Sequence, residues 1–100
     1  MNSYTVGTAV KCRMLFYSDT AKTTLADPTT VTLRVKAPSG ALTTHVYLTD
    51  AALVRASVGD FYEHVTPTAE GIYEYEFEGT GTVDIVQKAK FKAERSLSQD

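Results

Sequence analysis

The chain predicts an all-β domain of the sandwich type, and three observations carry that prediction. Thr, Val and Tyr are abundant. Apolar residues recur with period two along most of the chain, the spacing that puts alternate side chains on opposite faces of a strand. Turn residues punctuate these runs at short, regular intervals, as in stacked antiparallel sheets.

The first expected strand runs from Thr8 to Tyr17, with Val10, Cys12, Met14 and Phe16 inward and Lys11, Arg13, Leu15 and Tyr17 outward. A polar loop ends at Asp27-Pro28. The second strand, Thr29 to Lys36, turns Val31, Leu33 and Val35 in and Thr30, Thr32, Arg34 and Lys36 out. Pro38-Ser39-Gly40 is a turn signal, so the third strand, Leu42 to Leu48, forms a hairpin with the second. Its apolar residues suggest Val46 and Leu48 inward, with Thr43, His45 and Tyr47 outward. Residues 49–58 break the alternation. Thr49 or Asp50 can cap a short helical turn through Ala51 to Val54, and the segment reads as a helical or irregular crossover between sheets.

Gly59-Asp60 opens the fourth strand, Phe61 to Thr66, with Tyr62 and His64 outward. Glu63 falls inward between Phe61 and Val65, where an unpaired carboxylate is costly. It therefore needs a partner or a place at the sandwich edge. The fifth strand, Ile72 to Glu78, alternates Tyr73, Tyr75 and Phe77 inward with Glu74, Glu76 and Glu78 outward. Gly79 to Thr82 reads as a hairpin turn using positive φ at its glycines. The last strand, Val83 to Ala93, turns Ile85, Ala89 and Phe91 in and Lys88, Lys90 and Lys92 out. The Glu and Lys stripes then face each other across one hairpin, and the lysines suit an edge strand. Residues 94–100 form a polar tail. In all, one domain of 100 residues is expected, with about six to seven strands and a core over residues 6–93.

Composition narrows the function. The formal net charge of -2 argues against a globally basic nucleic-acid binder, so no direct nucleic-acid contact is expected. Cys12 is the only cysteine, so no internal disulfide and no thiolate metal cluster can form. Residues 1–17 contain Lys11 and Arg13 and no unbroken apolar run, and no secretory leader is expected. No stretch reaches the roughly 18 apolar residues of a membrane span. His45 and His64 lie on different strands without a carboxylate or thiolate companion outward, which makes a weak metal pair. Gly79-x-Gly81 lacks the helix and the Lys-Ser/Thr of a phosphate cradle. Cys12, on an apolar face, reads as a small buried hydrophobe. No catalytic, cofactor-binding or metal-binding residue is assigned, and no enzyme activity is expected.

Two strings carry a resemblance. Gly59, Phe61, Val65, Thr66 and Pro67, followed by Gly71, Tyr73, Tyr75 and Phe77, are similar to the end of filamin-type and bacterial immunoglobulin-like domains. Such folds often place a tyrosine at the position of Tyr73, its hydroxyl returning to the loop backbone. Asp27 to Leu33, Pro38-Ser39-Gly40, Thr66 to Gly71 and Phe77 to Gly81 together resemble small immunoglobulin-like proteins encoded among the virion structural genes of tailed bacteriophages and prophages. The resemblance spans about residues 6 to 93 and lies in turns and core positions. It implies an immunoglobulin-like sandwich of two antiparallel sheets. It also implies a virion accessory protein, made in the host cytoplasm, that decorates the capsid or joins head to tail. Its partners would be capsid, portal or tail proteins, with repeated copies on the particle and no cofactor. The rival from another class is an adhesion module for host-surface carbohydrate or protein, although the loops hold mostly Thr, Ala, Ser and Gly.

If the first, second and fourth strands share a sheet, its outer face presents Lys11, Arg13, Leu15, Tyr17, Arg34, Lys36, Tyr62 and His64. Four cations lie among aromatic and apolar groups with no carboxylate between them. Tyr and Arg are enriched at protein interfaces, and these eight residues form the candidate interface.

Overall fold

In the computed structural model, which describes residues 2–19, 21–81 and 84–95, eight strands form two sheets and no helix occurs among the described residues. The strands are β1 (Asn2–Thr5), β2 (Val10–Leu15), β3 (Thr30–Lys36), β4 (Leu42–Val46), β5 (Val54–Ser57), β6 (Asp60–Val65), β7 (Gly71–Thr80) and β8 (Ile85–Glu94). One sheet has the order β1-β8-β7-β3-β4, the other β2-β6-β5. All pairings are antiparallel except β1 with β8.

The core lies where the two sheets meet, built from the alternation in the sequence. Val10, Cys12 and Phe16 enter it from β2 and its end, Val31, Leu33 and Val35 from β3, Tyr73 and Phe77 from β7 and Phe91 from β8. Leu53, at the turn before β5, is also buried. Phe16 and Phe61 meet edge to face at 5.7 Å, and Tyr73 stacks on Phe91 at 5.2 Å. Such ring pairs add to the area term, which is already the largest favourable one in a domain this small.

Several expectations are corrected. Two strands were not foreseen. β1 begins at Asn2, outside the expected core span, and β5 replaces the helical turn sought after Asp50. Residues 51–53 form a plain turn, and β5 then joins the second sheet, so the segment does cross between sheets. β3 does not share a sheet with β2 and β6; it pairs with β4 and β7. The phase of β4 is opposite to the expected one. Tyr47 packs into the core, 5.1 Å from Phe61, and His45 turns inward, while Leu48 is 86 % exposed at φ 77. A leucine avoids that backbone region; the turn at 47–49 carries it outward. The last strand is not a bare edge, because β1 covers it from Phe91 to Glu94. Ala89 is exposed rather than inward, since three strands cannot cover all five of the other sheet.

Gly79 is no turn residue. It lies inside β7, buried, where a Cβ would come within 2.9 Å of the Phe16 ring and 2.8 Å of Pro28. Gly81, at φ +94, does take the left-handed conformation. The expected start of the last strand at Val83, the turn at Thr82 and the tail beyond Arg95 lie outside the described residues. The facing charge stripes are realised in register, with Glu74 opposite Lys90 and Glu76 opposite Lys88. The ion pairs, however, run to the other neighbour: Arg34 on β3 reaches Glu76 at 3.1 Å and Glu78 at 2.8 Å.

Candidate functional site

The outer face of the three-stranded sheet gathers most of the candidate interface. β2 and β6 pair so that Lys11 opposes His64, Arg13 opposes Tyr62 and Leu15 opposes Asp60. These are the outward positions, since Cys12, Phe61 and Glu63 take the buried phase. The Lys11 ammonium sits 4.5 Å above the Tyr62 ring, and Tyr62 meets His64 edge to face at 5.5 Å. Arg13 binds Asp60 through both ends of its fork, Nε to Oδ1 at 2.9 Å and Nη2 to Oδ2 at 2.8 Å. That bidentate geometry fixes the guanidinium. Its hydrogen bonds, and then its charge, hold the Asp60 carboxyl below its ordinary range.

Tyr17 extends this surface. It bridges to Leu25 beyond the end of β2 and lines a groove of about 430 Å³ with Arg13, Leu15 and Lys22. Arg34 and Lys36 do not join it. They lie on β3, on the outer face of the opposite sheet, because β3 belongs to the five-stranded sheet. Arg34 is engaged there by Glu76 and Glu78. Two further corrections follow for the face as expected: two cations are absent, and a carboxylate, Asp60, is present. What remains is an aromatic surface with Lys11 over Tyr62 and a neutralised Arg13.

A second feature lies inside. Glu63 is 5 % exposed, its inward position as read from the sequence, and its partner is His45, with Nδ1 2.6 Å from Oε1. The pair joins the two sheets, since His45 is on β4 and Glu63 on β6. Sequence reasoning missed His45 as an inward residue. The signal that could have found it is Glu63 itself, because a buried carboxylate demands a donor. Both line a cleft of about 300 Å³ bounded also by Val35, Thr43, Val65 and Thr66.

Cys12 opposes Glu63 in the register. Cysteine, histidine and glutamate thus come close in the sheet, the residue types of a thiol nucleophile. The chemistry does not follow. Burial and, after it, the Glu63 charge push the Cys12 thiol up to about 12, and the nucleophile in such sites is the thiolate. At neutral pH Cys12 is a fully enclosed thiol. No group of three or more His, Cys, Asp or Glu among the described residues is placed to hold a metal ion.

The Tyr73 hydroxyl accepts hydrogen bonds from the Thr68 and Ala69 N–H groups, at 3.1 and 3.3 Å. This ties the β6–β7 loop to β7 in the manner expected of that tyrosine.

No protein-family model, curated protein or solved structure matches the chain.

Proposed function

We propose that the chain is a non-catalytic, immunoglobulin-like interaction domain of a tailed-bacteriophage virion, binding other virion proteins as a capsid decoration or head–tail component. The observation that carries the interaction reading is the outer face of β2 and β6, where exposed Lys11 and His64 flank the half-buried Tyr62 ring beside the Arg13–Asp60 pair. Tyrosine supplies large contact area at little entropic cost, and it dominates protein interfaces with arginine. The two-sheet architecture and the Tyr73 loop tie support the immunoglobulin-like reading. The virion assignment rests on the resemblance of the turn and core strings. The protein would be made in the host cytoplasm, act on the particle in repeated copies, and need no cofactor. Repetition makes a modest contact sufficient, because avidity multiplies weak sites.

The test is incorporation in competition. Particles assembled with equal amounts of wild type and a Lys11→Glu/Tyr62→Ala double variant should contain mainly wild type, although the variant folds, since both side chains are outside the core. Equal incorporation overturns the assignment of this face.

A further inference from the structure

β4 ends the five-stranded sheet, so one of its edges is bare. The Tyr47 N–H donates to the Val31 carbonyl and the Ala37 N–H to the Ala41 carbonyl, both at 2.9 Å. With the register Val35 opposite Thr43 and Leu33 opposite His45, the odd residues of β4 spend their backbone groups on β3. By the alternation of an antiparallel ladder the even residues aim theirs outward. Val46 is closed off: its N–H donates to Asp50 Oδ2 at 2.8 Å and its carbonyl accepts from the Asp50 N–H at 2.9 Å. Leu42 and Thr44 are not capped in this way. β4 carries no lysine, proline or bulge, the usual protections of an edge.

Beside this edge lies the cleft that contains Glu63. The Glu63 side chain is 6 % exposed, and its only hydrogen bond from the described residues is His45 to Oε1. Oε2 receives none. No fully enclosed side-chain oxygen or nitrogen among the described residues lacks a partner, so Oε2 reaches the cleft surface. At about 300 Å³ the cleft is at the small end of ligand sites, the size for one side chain. Val35, Ala37 and Val65 give it aliphatic walls that suit a methylene stem, with Thr43 and Thr66 at its polar side.

We propose that this cleft takes the lysine side chain of an extended segment from a partner protein. The segment adds to the β4 edge at Leu42 and Thr44, and the lysine ammonium donates to Glu63 Oε2. A strand added there places alternate side chains on the same side as Thr43 and His45, over the cleft, which is how strand addition combines backbone affinity with side-chain selection. The charge decides the class of side chain. Oε2 has no donor among the described residues, and an ammonium brings it both a hydrogen bond and a positive charge. Lysine is favoured over arginine because His45 already holds Oε1, which leaves one oxygen for a single-point donor and denies the guanidinium its two-pronged contact. This site lies between the sheets, apart from the outer face proposed above, and stands or falls independently of it.

The experiment is an NMR titration of the full chain with n-butylammonium, with n-butanol as the uncharged control. Saturable shifts at the Thr43, His45, Glu63 and Thr66 amides with butylammonium alone are expected, with affinity reduced at least tenfold in Glu63→Gln. Equal shifts with butanol, shifts confined to other faces, or unchanged affinity in Glu63→Gln overturn the proposal. A second measurement needs no variant. The capped peptide Thr-Thr-Lys-Thr-Thr should slow amide exchange at Leu42 and Thr44, and its norleucine counterpart should not. Equal protection by both, or protection by neither, contradicts it.

Discussion

Three residues test the fold at the scale of single side chains. Gly79 lies against Phe16 and Pro28, so Gly79→Ala must push a fully buried ring or a proline aside. Overpacking of this kind costs about 1–3 kcal/mol, and urea unfolding should show that loss. Tyr73→Phe removes the acceptor of two loop N–H groups while keeping the stack on Phe91. Thr68 and Ala69 are exposed, so water can replace the hydroxyl and a loss of about 0.5–1.5 kcal/mol is expected, read in the same denaturant series. Cys12 is enclosed, its thiol held far above neutral pH. It should stay unreactive toward a disulfide reagent in the native protein and react fully in denaturant. Rapid native labelling would contradict its burial. At this scale the sequence was informative wherever a stripe was long. Val31, Leu33 and Val35, Tyr73 and Phe77, and even the inward Glu63 follow from alternation. His45 did not, because both phases of residues 42–48 carry apolar residues. The choice was made by Tyr47 finding Phe61, a contact across sheets that no local pattern records.

Among elements, the ties between loops and strands set the response to acid. Asp27, in the loop before β3, accepts from Arg55 Nε at 3.1 Å and from the Gly59 N–H at 2.7 Å. It thereby holds the β5–β6 turn. Asp60 binds Arg13 across β2 and β6. Hydrogen bonds from these arginines hold both carboxyls below their ordinary range. A carboxyl lowered in the folded state contributes stability above its unfolded pKa, about 3.9, and that contribution is lost as pH falls through the folded value. The melting temperature should therefore decline below about pH 4, less steeply in Asp27→Asn and in high salt, since the pairs are exposed. A melting temperature flat from pH 5 to 2 would contradict this account. The elements that the sequence hid are the short ones. β1 and β5 have four residues each, too few to show a period. Which sheet β3 joins was equally hidden, since both sheets ask for the same alternation, and with it went the expected place of Arg34 and Lys36.

For the whole molecule, the two outer faces differ in character. The five-stranded sheet shows solvent Arg34 paired with Glu76 and Glu78, and the lysines of β8 in register with the glutamates of β7. The three-stranded sheet shows Lys11 over a half-buried Tyr62, with His64 beside it. The proposed interaction role rests on that difference. The most direct measurement is quantitative mass spectrometry of purified phage particles produced from the host that carries the gene. The account predicts the protein in intact particles, at a fixed ratio to the capsid or tail proteins that survives gradient purification. Its absence from particles, with the protein left in the lysate, would contradict the virion role.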